Sequence, residues 1–282
     1  MKTSKYKFII MPILLLLSII ILFSCKKQEE AISQVFGVWW WNSNLDERYL
    51  EFAKNNNINE IYFCDDELDQ TSVNFTRKAN DFNIDVYWLT GDYRWLHDFQ
   101  SAYNEVDRFI EYNHKNPNLC YKGIHFDIEP HQDPNFGQAE TRKTLIYNLI
   151  DLAYNLSVLY PAIQFDYDLP FWLDDIITFN NVAKPAYQHM IDIADRIFLM
   201  SYRDSAEDML EVSKEELDYA KTVGKTVVLG GETSFSEEGD NITYYEEGKV
   251  YLNSQIDLLF QALPQSSGVS IHHIKSWYDL KE

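Results

Sequence analysis

Three ionisable side chains alternate along one short segment near the middle of the chain. The segment 122–131 has the sequence KGIHFDIEPH, in which His125, Asp127 and Glu129 occupy every second position. In a β-strand this spacing places the three side chains on one face. Ionisable groups are costly to bury, and a structural barrel strand normally carries Val, Ile or Leu there. The spacing therefore predicts a functional site, and the alternative is a buried ion-pair network.

Polar side chains also stand at the ends of other segments that have the composition of strands. Asp166 and Asp168 alternate in a later segment, and Glu232 follows a Gly-Gly pair. Two further segments end in the tripeptide Tyr-Arg-Asp at 202–204 and in the pair His-His at 272–273. A single salt bridge would explain any one of these groups, whereas charged groups at so many segment ends indicate a shared site.

Aromatic residues are concentrated in the same places, and tryptophan is prominent among them. A pyranose ring has an apolar C–H face and a rim of hydroxyl groups, so aromatic rings beside carboxylates suit a sugar-binding cleft. The alternative is that about half of these rings belong to the core, where such residues are common. The predicted substrate-binding residues are Trp39, Trp41, Trp88, His125, His131, Asp166, Asp168, Trp172, Tyr202, Arg203, His272 and Trp277.

Strand-like and helix-like segments alternate along the chain after residue 34, which is typical of a parallel sheet with crossover helices. The predicted strands are Phe36–Trp41, Glu60–Cys64, Asp85–Thr90, Gly123–Glu129, Gln164–Leu169, Arg196–Tyr202, Thr226–Gly230 and Val269–Ile274. No Gly-rich phosphate loop follows the first strand, as a doubly wound sheet usually has. We therefore predict the α/β class, with a single (β/α)8 TIM barrel over 35–282. Active-site residues of such barrels lie at the carboxyl ends of the strands.

Helical patterns connect these strands. Leucines recur at helical spacing between Arg142 and Leu159. Another helix is predicted from Ser213 to Val223, where Ser213 and Glu216 form a possible capping box. Gly224 follows as a helix stop immediately before the seventh strand.

The first 25 residues have the layout of a secretory signal. Lysines precede the apolar run 8–23, and the ending LFSC resembles the lipobox of bacterial lipoproteins, in which the cysteine is acylated. The alternative, an uncleaved membrane anchor, is disfavoured because the run is short for a bilayer. We predict a lipoprotein signal peptide over 1–25 with acylation of Cys25, a tether over 26–34, and a location on the extracytoplasmic face of the cell membrane.

The charge of the chain limits its partners. It carries 24 Lys and Arg residues against 44 Asp and Glu residues, a net charge of −20. Such a surface repels nucleic acids and anionic lipids. We therefore expect no nucleic-acid partner and contact with the membrane through the lipid anchor only, and we expect no cofactor and no metal.

The segment around the fourth predicted strand resembles the D-G-x-D-x-D-x-E signature of chitinase-like glycoside hydrolases of family eighteen. Asp127 and Glu129 match its last two acids, whereas Lys122 and His125 replace the first two. The resemblance implies that Glu129 protonates the leaving oxygen and that Asp127 orients the acetamido group of the substrate.

The tripeptide Met-Ser-Tyr at 200–202 resembles the Met-Thr/Ser-Tyr-Asp of the same family, with Arg203 in place of the aspartate. The resemblance implies that Tyr202 helps to hold the substrate. The replaced aspartates weigh against an N-acetylated substrate.

A second resemblance is to retaining glycosidases with catalytic glutamates after the fourth and seventh strands. Glu129-Pro130 and Glu232 occupy the corresponding places, and Arg203 would either keep Glu232 ionised or form a plain salt bridge with it. Two carboxyl groups about 5–5.5 Å apart suit double displacement. The chain is also similar to bacterial barrel lipoproteins with His-x-Asp-x-Glu-Pro-His and Tyr-Arg-Asp segments, a resemblance that implies no activity.

These resemblances predict a glycosidase acting on an extracellular polysaccharide or cell-wall glycan. Glu129 would act as general acid and then base, and Glu232 or Asp127 would stabilise or capture the oxocarbenium-like centre. A carbohydrate-binding surface lipoprotein without catalysis is one alternative. A metal-dependent barrel hydrolase is another. Its ligands would come from His125, Asp127, Glu129, His131, His272 and His273.

Overall fold

The computed structural model describes residues 34–41 and 45–282. The predicted signal peptide, Cys25 and the tether up to residue 33 lie outside the described residues. In the described part of the chain, no helix is both long and apolar enough to cross a membrane.

Eight parallel strands of the described chain close into a barrel, which confirms the predicted fold. Around the barrel the strands follow the order β1, β2, β3, β4, β5, β8, β9, β10, and β10 pairs with β1. Their bounds are β1 Val35–Trp40, β2 Glu60–Cys64, β3 Asp85–Thr90, β4 Ile124–Phe126, β5 Phe165–Pro170, β8 Arg196–Met200, β9 Thr226–Glu232 and β10 Gly268–His272.

Helices cover the outside of the barrel, as the crossover connections of a parallel sheet require. Their bounds are α1 Glu47–Asn55, α2 Gln70–Asp81, α3 Phe99–Lys115, α4 Ala139–Leu159, α5 Ala186–Ile193, α6 Ala206–Val212, α7 Lys214–Val223, α8 Lys249–Ala262 and α9 Ile274–Asp279. Short 3-10 turns span Tyr93–Leu96, Pro130–Gln132 and Asp240–Ile242.

The boundaries of α7 test two local predictions. Gly224 ends the helix in the left-handed conformation at φ 70°, as predicted, because glycine has no Cβ to oppose it. The predicted capping box is wrong. Ser213 stands at the N-cap but its hydroxyl caps no backbone N–H, and both Ser213 and Glu216 are buried beneath the helix.

An antiparallel hairpin between β5 and α5 was not predicted. Its strands are β6 Ile176–Phe179 and β7 Val182–Pro185. Asn180 and Asn181 form the turn with φ values of 49° and 63°, the conformation that two-residue hairpin turns require. Each strand has only four residues, which is too short for alternation to stand out.

Two apolar layers flank the barrel wall. The larger layer lies between strands and helices, and a smaller cluster inside the barrel includes Trp39, Tyr62 and Phe198. Below that cluster, at the amino ends of the strands, Arg196 forms ion pairs with Glu60 and Asp166 at 2.8 and 2.6 Å. This network closes the barrel at the end opposite to the carboxyl ends of the strands.

Candidate active site

A cavity of about 460 Å³ opens at the carboxyl ends of the barrel strands. Its wall is formed by strand-terminal residues and by the residues that follow them, as expected for this fold. The residues of the wall are Trp39, Trp41, Gly91, Asp92, Asp127, Glu129, Gln132, Asp168, Met200, Tyr202 and His272.

Glu129 lies at the point where the chain leaves β4. The strand ends at Phe126, three residues earlier than predicted, and Glu129 precedes the 3-10 turn Pro130–Gln132 with φ −101° and ψ 98°. Gln132 donates a hydrogen bond to one oxygen of Glu129, and Nε2 of His131 lies 3.5 Å from the other. The turn thus places two polar side chains around a carboxyl group that faces the cavity.

Asp127 is held close to the backbone of the neighbouring strand. Its amide donates to the carbonyl of Thr90 at 3.0 Å, and a Cβ on Gly91 would lie 1.9 Å from the carbonyl oxygen of Asp127. Only glycine at position 91 permits this close approach. Burial, followed by the charges of Asp168 and Glu129, raises the pKa of Asp127 well above its ordinary value.

Asp168 forms the floor of the cavity with Trp39. The indole N–H of Trp39 donates to Oδ2 at 3.1 Å, and Nε2 of His125 lies 2.9 Å from Oδ1. Burial raises the pKa of Asp168, and the hydrogen bond from Trp39 opposes that rise.

His125 supports this floor from below. Its ring stacks on Tyr62 with centroids 4.2 Å apart, and burial lowers its pKa to about 3. The ring is therefore neutral and shares a hydrogen bond with Asp168 through Nε2. The prediction of a substrate contact for His125 is wrong, because its fully buried side chain lies beneath the cavity wall.

Trp41, His272 and Glu232 form a connected row at the rim. The indole N–H of Trp41 donates to Nε2 of His272 at 2.7 Å, and Nδ1 of His272 lies 2.6 Å from Oε2 of Glu232. The other oxygen of Glu232 accepts from the amides of Thr233 and Ser234. Burial alone would raise the pKa of Glu232, but these hydrogen bonds hold it below its ordinary value.

Tyr202 lines the cavity next to this row. A Cβ on Gly230 would lie 3.5 Å from the Tyr202 ring, so a small residue on β9 leaves room for it. Arg203 does not reach Glu232, contrary to prediction. Its guanidinium lies over the ring of Phe171 at 4.8 Å and donates to the carbonyl of Tyr202.

Asp166 does not belong to the cavity, although it shares the inward face of β5 with Asp168. It is fully buried at the amino end of the strand and pairs with Arg196. The alternative interpretation, a buried ion pair, is the right one for this residue.

Several predicted sugar-contacting side chains lie elsewhere. Trp88 is buried between barrel and helices, where its indole donates to the carbonyl of Asp65. Trp277 is buried on α9 against Phe36 and Phe52. Both predictions are wrong. Trp88 and Trp277 belong to the apolar layer between the barrel strands and the helices, outside the lumen of the barrel.

Trp172 and His131 lie beside the cavity without forming its wall. Their rings pack edge to face with centroids 5.3 Å apart, and Arg142 covers Trp172. His131 reaches the site through Glu129, as described above.

Sequence reasoning missed four residues of the wall. These are Gly91, Asp92, Gln132 and Met200. Met200 had a signal in the Met-Ser-Tyr motif, whereas Gln132 had none.

No protein-family model matches the chain, and no curated protein matches it either. A chitinase from Bacteroides thetaiotaomicron has a similar structure, with a TM-score of 0.56 at 14% identity over 88% of this chain and 94% of that chain. A mutant class V chitinase from Nicotiana tobaccum in complex with NAG4 gives 0.54 at 11% identity, over 86% and 94%. The glycoside hydrolase domain of PelA from Pseudomonas aeruginosa gives 0.50 at 10% identity, over 86% and 96%. The chain therefore has the barrel fold of chitinase-like glycoside hydrolases.

Proposed function

We propose that the protein is a glycoside hydrolase in which Glu129 is the acid and base. The observation that carries the proposal is the placement of Glu129 and Asp127 together in the wall of one cavity, at the carboxyl end of β4. The similar folds of chitinases and of a glycoside hydrolase domain support the same reaction class. The proposed substrate is an extracellular polysaccharide or cell-wall glycan.

Glu129 protonates the glycosidic oxygen while the bond to the anomeric carbon breaks. Burial, followed by the charges of Asp168 and Glu129, raises the pKa of Asp127 and so favours a protonated carboxyl group beside Glu129 in the cavity wall. A water molecule then attacks the anomeric carbon and gives its proton to the Glu129 carboxylate. The glycosidic bond is thereby broken, the anomeric carbon carries the hydroxyl group from water, and the Glu129 carboxyl group has regained its proton.

Asp127 is the carboxyl group best placed to stabilise the oxocarbenium-like centre. It lines the cavity beside Glu129, whereas Glu232 is absent from the described wall. Both oxygens of Glu232 are occupied, one by His272 and the other by two backbone amides. Glu232 therefore orients His272 instead of attacking the sugar.

Aromatic and hydroxyl groups complete the binding surface. Trp41 presents an exposed indole ring at the rim of the cavity, where it can pack on the apolar face of a sugar ring, whereas the buried Trp39 supports the floor through Asp168. Tyr202 contributes a hydroxyl group for a hydrogen bond to the substrate.

The geometry supports a glycosidase better than it supports a metal-dependent hydrolase or a carbohydrate-binding protein without catalysis. Among the described residues, no group of three or more His, Cys, Asp or Glu side chains is arranged to hold a metal ion. Binding without catalysis would not require a buried carboxyl group with a raised pKa next to a second one.

We further propose that the enzyme is held at the extracytoplasmic membrane face by acylation of Cys25. The lipobox-like ending of the first 25 residues supports this proposal. Labelling with a radioactive fatty acid should mark the wild-type protein and should fail to mark Cys25→Ser.

The reaction is tested by release of reducing ends from a panel of polysaccharides, with Glu129→Gln measured beside the wild type. The Glu207→Gln variant on α6 makes the same substitution at an exposed residue outside the cavity wall and serves as control. Turnover in wild type and control but not in Glu129→Gln supports the proposal. Turnover that persists in Glu129→Gln overturns it.

A further inference from the structure

We infer that the amino end of the barrel faces the membrane and that the cavity opens on the side away from it. This inference rests on the proposed acylation of Cys25 and goes beyond the proposed reaction, since it assigns the surface of the protein that lies against the lipid. Three features support it. They are the place where the chain enters the barrel, the length of chain between that place and Cys25, and the unequal charge of the two barrel ends.

Gln34 fixes the entry of the chain at the amino end of the barrel. Its side-chain amide donates to the carbonyls of Leu263 and Pro264, at 3.1 and 3.3 Å, in the turn between α8 and β10. Its own carbonyl accepts from the side-chain amide of Asn59, at 2.9 Å, in the turn between α1 and β2. The chain therefore enters the barrel at the end opposite to the cavity, held by turns on both sides of β1.

The chain between Cys25 and Gln34 is too short to pass from one end of the barrel to the other. Gln34 is nine residues after Cys25, and a fully extended chain of that length spans at most about 32 Å. A compact domain of the length of 35–282 has a radius of gyration of about 18 Å and is about 45 Å across. If the cavity end lay on the membrane, Gln34 would stand farther from the lipid than this chain can reach.

Negative charge is concentrated at the cavity end. In the described chain, the connections that leave the carboxyl ends of the strands contain eighteen Asp and Glu residues against two Arg residues. These connections are 45–46, 65–69, 91–98, 127–138, 171–175, 201–205 and 233–248. Burial favours the neutral form of Asp127 among them, but eight of the acids are exposed to solvent. The exposed acids are Asp66, Glu67, Asp69, Asp98, Asp174, Glu237, Glu238 and Asp240.

The amino end of the barrel is close to neutral. The seven turns that lead into β2, β3, β4, β5, β8, β9 and β10 contain three charged residues in the described chain, which are Lys122, Asp195 and Lys225. These turns are 56–59, 82–84, 116–123, 160–164, 194–195, 224–225 and 263–267. The rest of their residues are uncharged, with asparagine and proline frequent among them. This end can therefore approach an anionic lipid surface without the repulsion that the cavity end meets.

A membrane leaflet that is rich in anionic lipids acts on this difference. Its surface potential is about −30 mV and falls off within a Debye length, about 8–10 Å at physiological salt. Exposed acids are repelled over that range, whereas a neutral surface is not. The reach of the chain and the distribution of charge thus favour the same orientation, in which the substrate enters the cavity from the side away from the membrane.

The test compares how close each end of the barrel lies to the lipid. The acylated full chain is added to vesicles of phosphatidylethanolamine and phosphatidylglycerol whose outer headgroups carry an acceptor dye. A donor dye is attached through an azide-bearing residue that replaces either Gln265, in an amino-end turn, or Glu238, in a cavity-end connection. Both positions are exposed. We expect energy transfer from position 265 to be severalfold more efficient than transfer from position 238.

A longer tether separates the two causes of the orientation. Twenty Gly and Ser residues inserted after Ser33 raise the maximum reach to about 100 Å, more than the width of the barrel. On vesicles of neutral phosphatidylcholine, the longer tether should abolish the difference between the two positions. On the anionic vesicles, part of the difference should remain at low salt and should disappear as salt is added.

Equal transfer from both positions of the wild-type tether, or stronger transfer from position 238, overturns the inference and leaves the acylation of Cys25 in place. A difference that the longer tether leaves unchanged on neutral vesicles contradicts the argument from reach and overturns it too. Loss of transfer from both positions, as expected for the Cys25→Ser variant, would overturn the anchor and the orientation together. Hydrolysis of polysaccharides enters none of these measurements, so the proposed reaction and the orientation fail separately.

Discussion

The indole N–H of Trp41 donates a hydrogen bond to Nε2 of His272 over 2.7 Å, which joins the rim of the cavity to the last barrel strand. Because Nε2 accepts, the ring proton lies on Nδ1 and is donated to Glu232, 2.6 Å away. The half-exposed indole of Trp41 is therefore held in place only while His272 is neutral.

Because of this hydrogen bond, the position of Trp41 at the rim of the cavity should depend on pH. Burial alone would lower the pKa of His272, but the hydrogen bond and charge of Glu232 raise it above its ordinary value. As the pH falls through this pKa, Nε2 gains a proton and Trp41 loses its acceptor. The indole N–H resonance of Trp41, assigned with Trp41→Phe, should shift over a pH range that lies above the ordinary pKa of histidine, and KM should rise more than kcat falls. An indole resonance that does not move over this range contradicts the prediction.

Replacement of Glu232 by glutamine tests its role directly. We expect kcat to remain within about tenfold of wild type, because in the proposed mechanism Glu232 orients His272 and does not touch the reacting sugar. Without the glutamate charge, the pKa of His272 falls, so the acid side of the pH profile should move to lower pH. Rates measured across that range check both effects. A loss of activity as large as that of Glu129→Gln would restore the mechanism with two catalytic glutamates.

Gly91→Ala should damage both stability and catalysis. The added Cβ would meet the carbonyl of Asp127, so the end of β4 must move, at a cost of about 1–3 kcal/mol in unfolding free energy. Gly137→Ala is the matched control, since its Cβ would meet no atom within 4 Å. Urea denaturation should separate the two variants, and equal midpoints would contradict the expected clash.

Asp166→Asn should destabilise the barrel without changing substrate affinity. It removes one partner of Arg196 at the end of the barrel opposite to the cavity. Breaking a buried ion pair costs about 3–5 kcal/mol, and Glu60 remains to hold Arg196, so we expect the lower end of that range. Chemical denaturation measures the first effect and KM the second. A raised KM with normal stability would place Asp166 in the substrate site after all.

The barrel was predictable because its strands carry β-branched and aromatic residues between helical segments. The inward face of the fourth strand was also predictable, since alternation assigns a face to each residue. Alternation does not give height along the barrel axis, however. Asp166 and Asp168 share a face, yet one closes the amino end and the other forms the cavity floor.

The remaining errors concern residues whose positions depend on tertiary contacts, which a local sequence pattern does not contain. Barrel strands are buried on both sides, so a tryptophan such as Trp88 can face the helices as readily as the lumen. Trp41 and His272 are 231 positions apart in the sequence, and no local sequence pattern predicts their hydrogen bond. The early end of β4 at Phe126 was missed because the alternation of acids continues after the strand ends.

The central claim is that Glu129 protonates the leaving oxygen, and leaving-group dependence tests it most directly. The measurement is kcat/KM of wild type and Glu129→Gln on two glycosides of the same sugar, one with a sugar leaving group and one with a dinitrophenyl group that leaves without protonation. The account predicts a loss of about a thousandfold or more on the first glycoside and about tenfold or less on the second. Equal losses on both glycosides would show that Glu129 is not the acid.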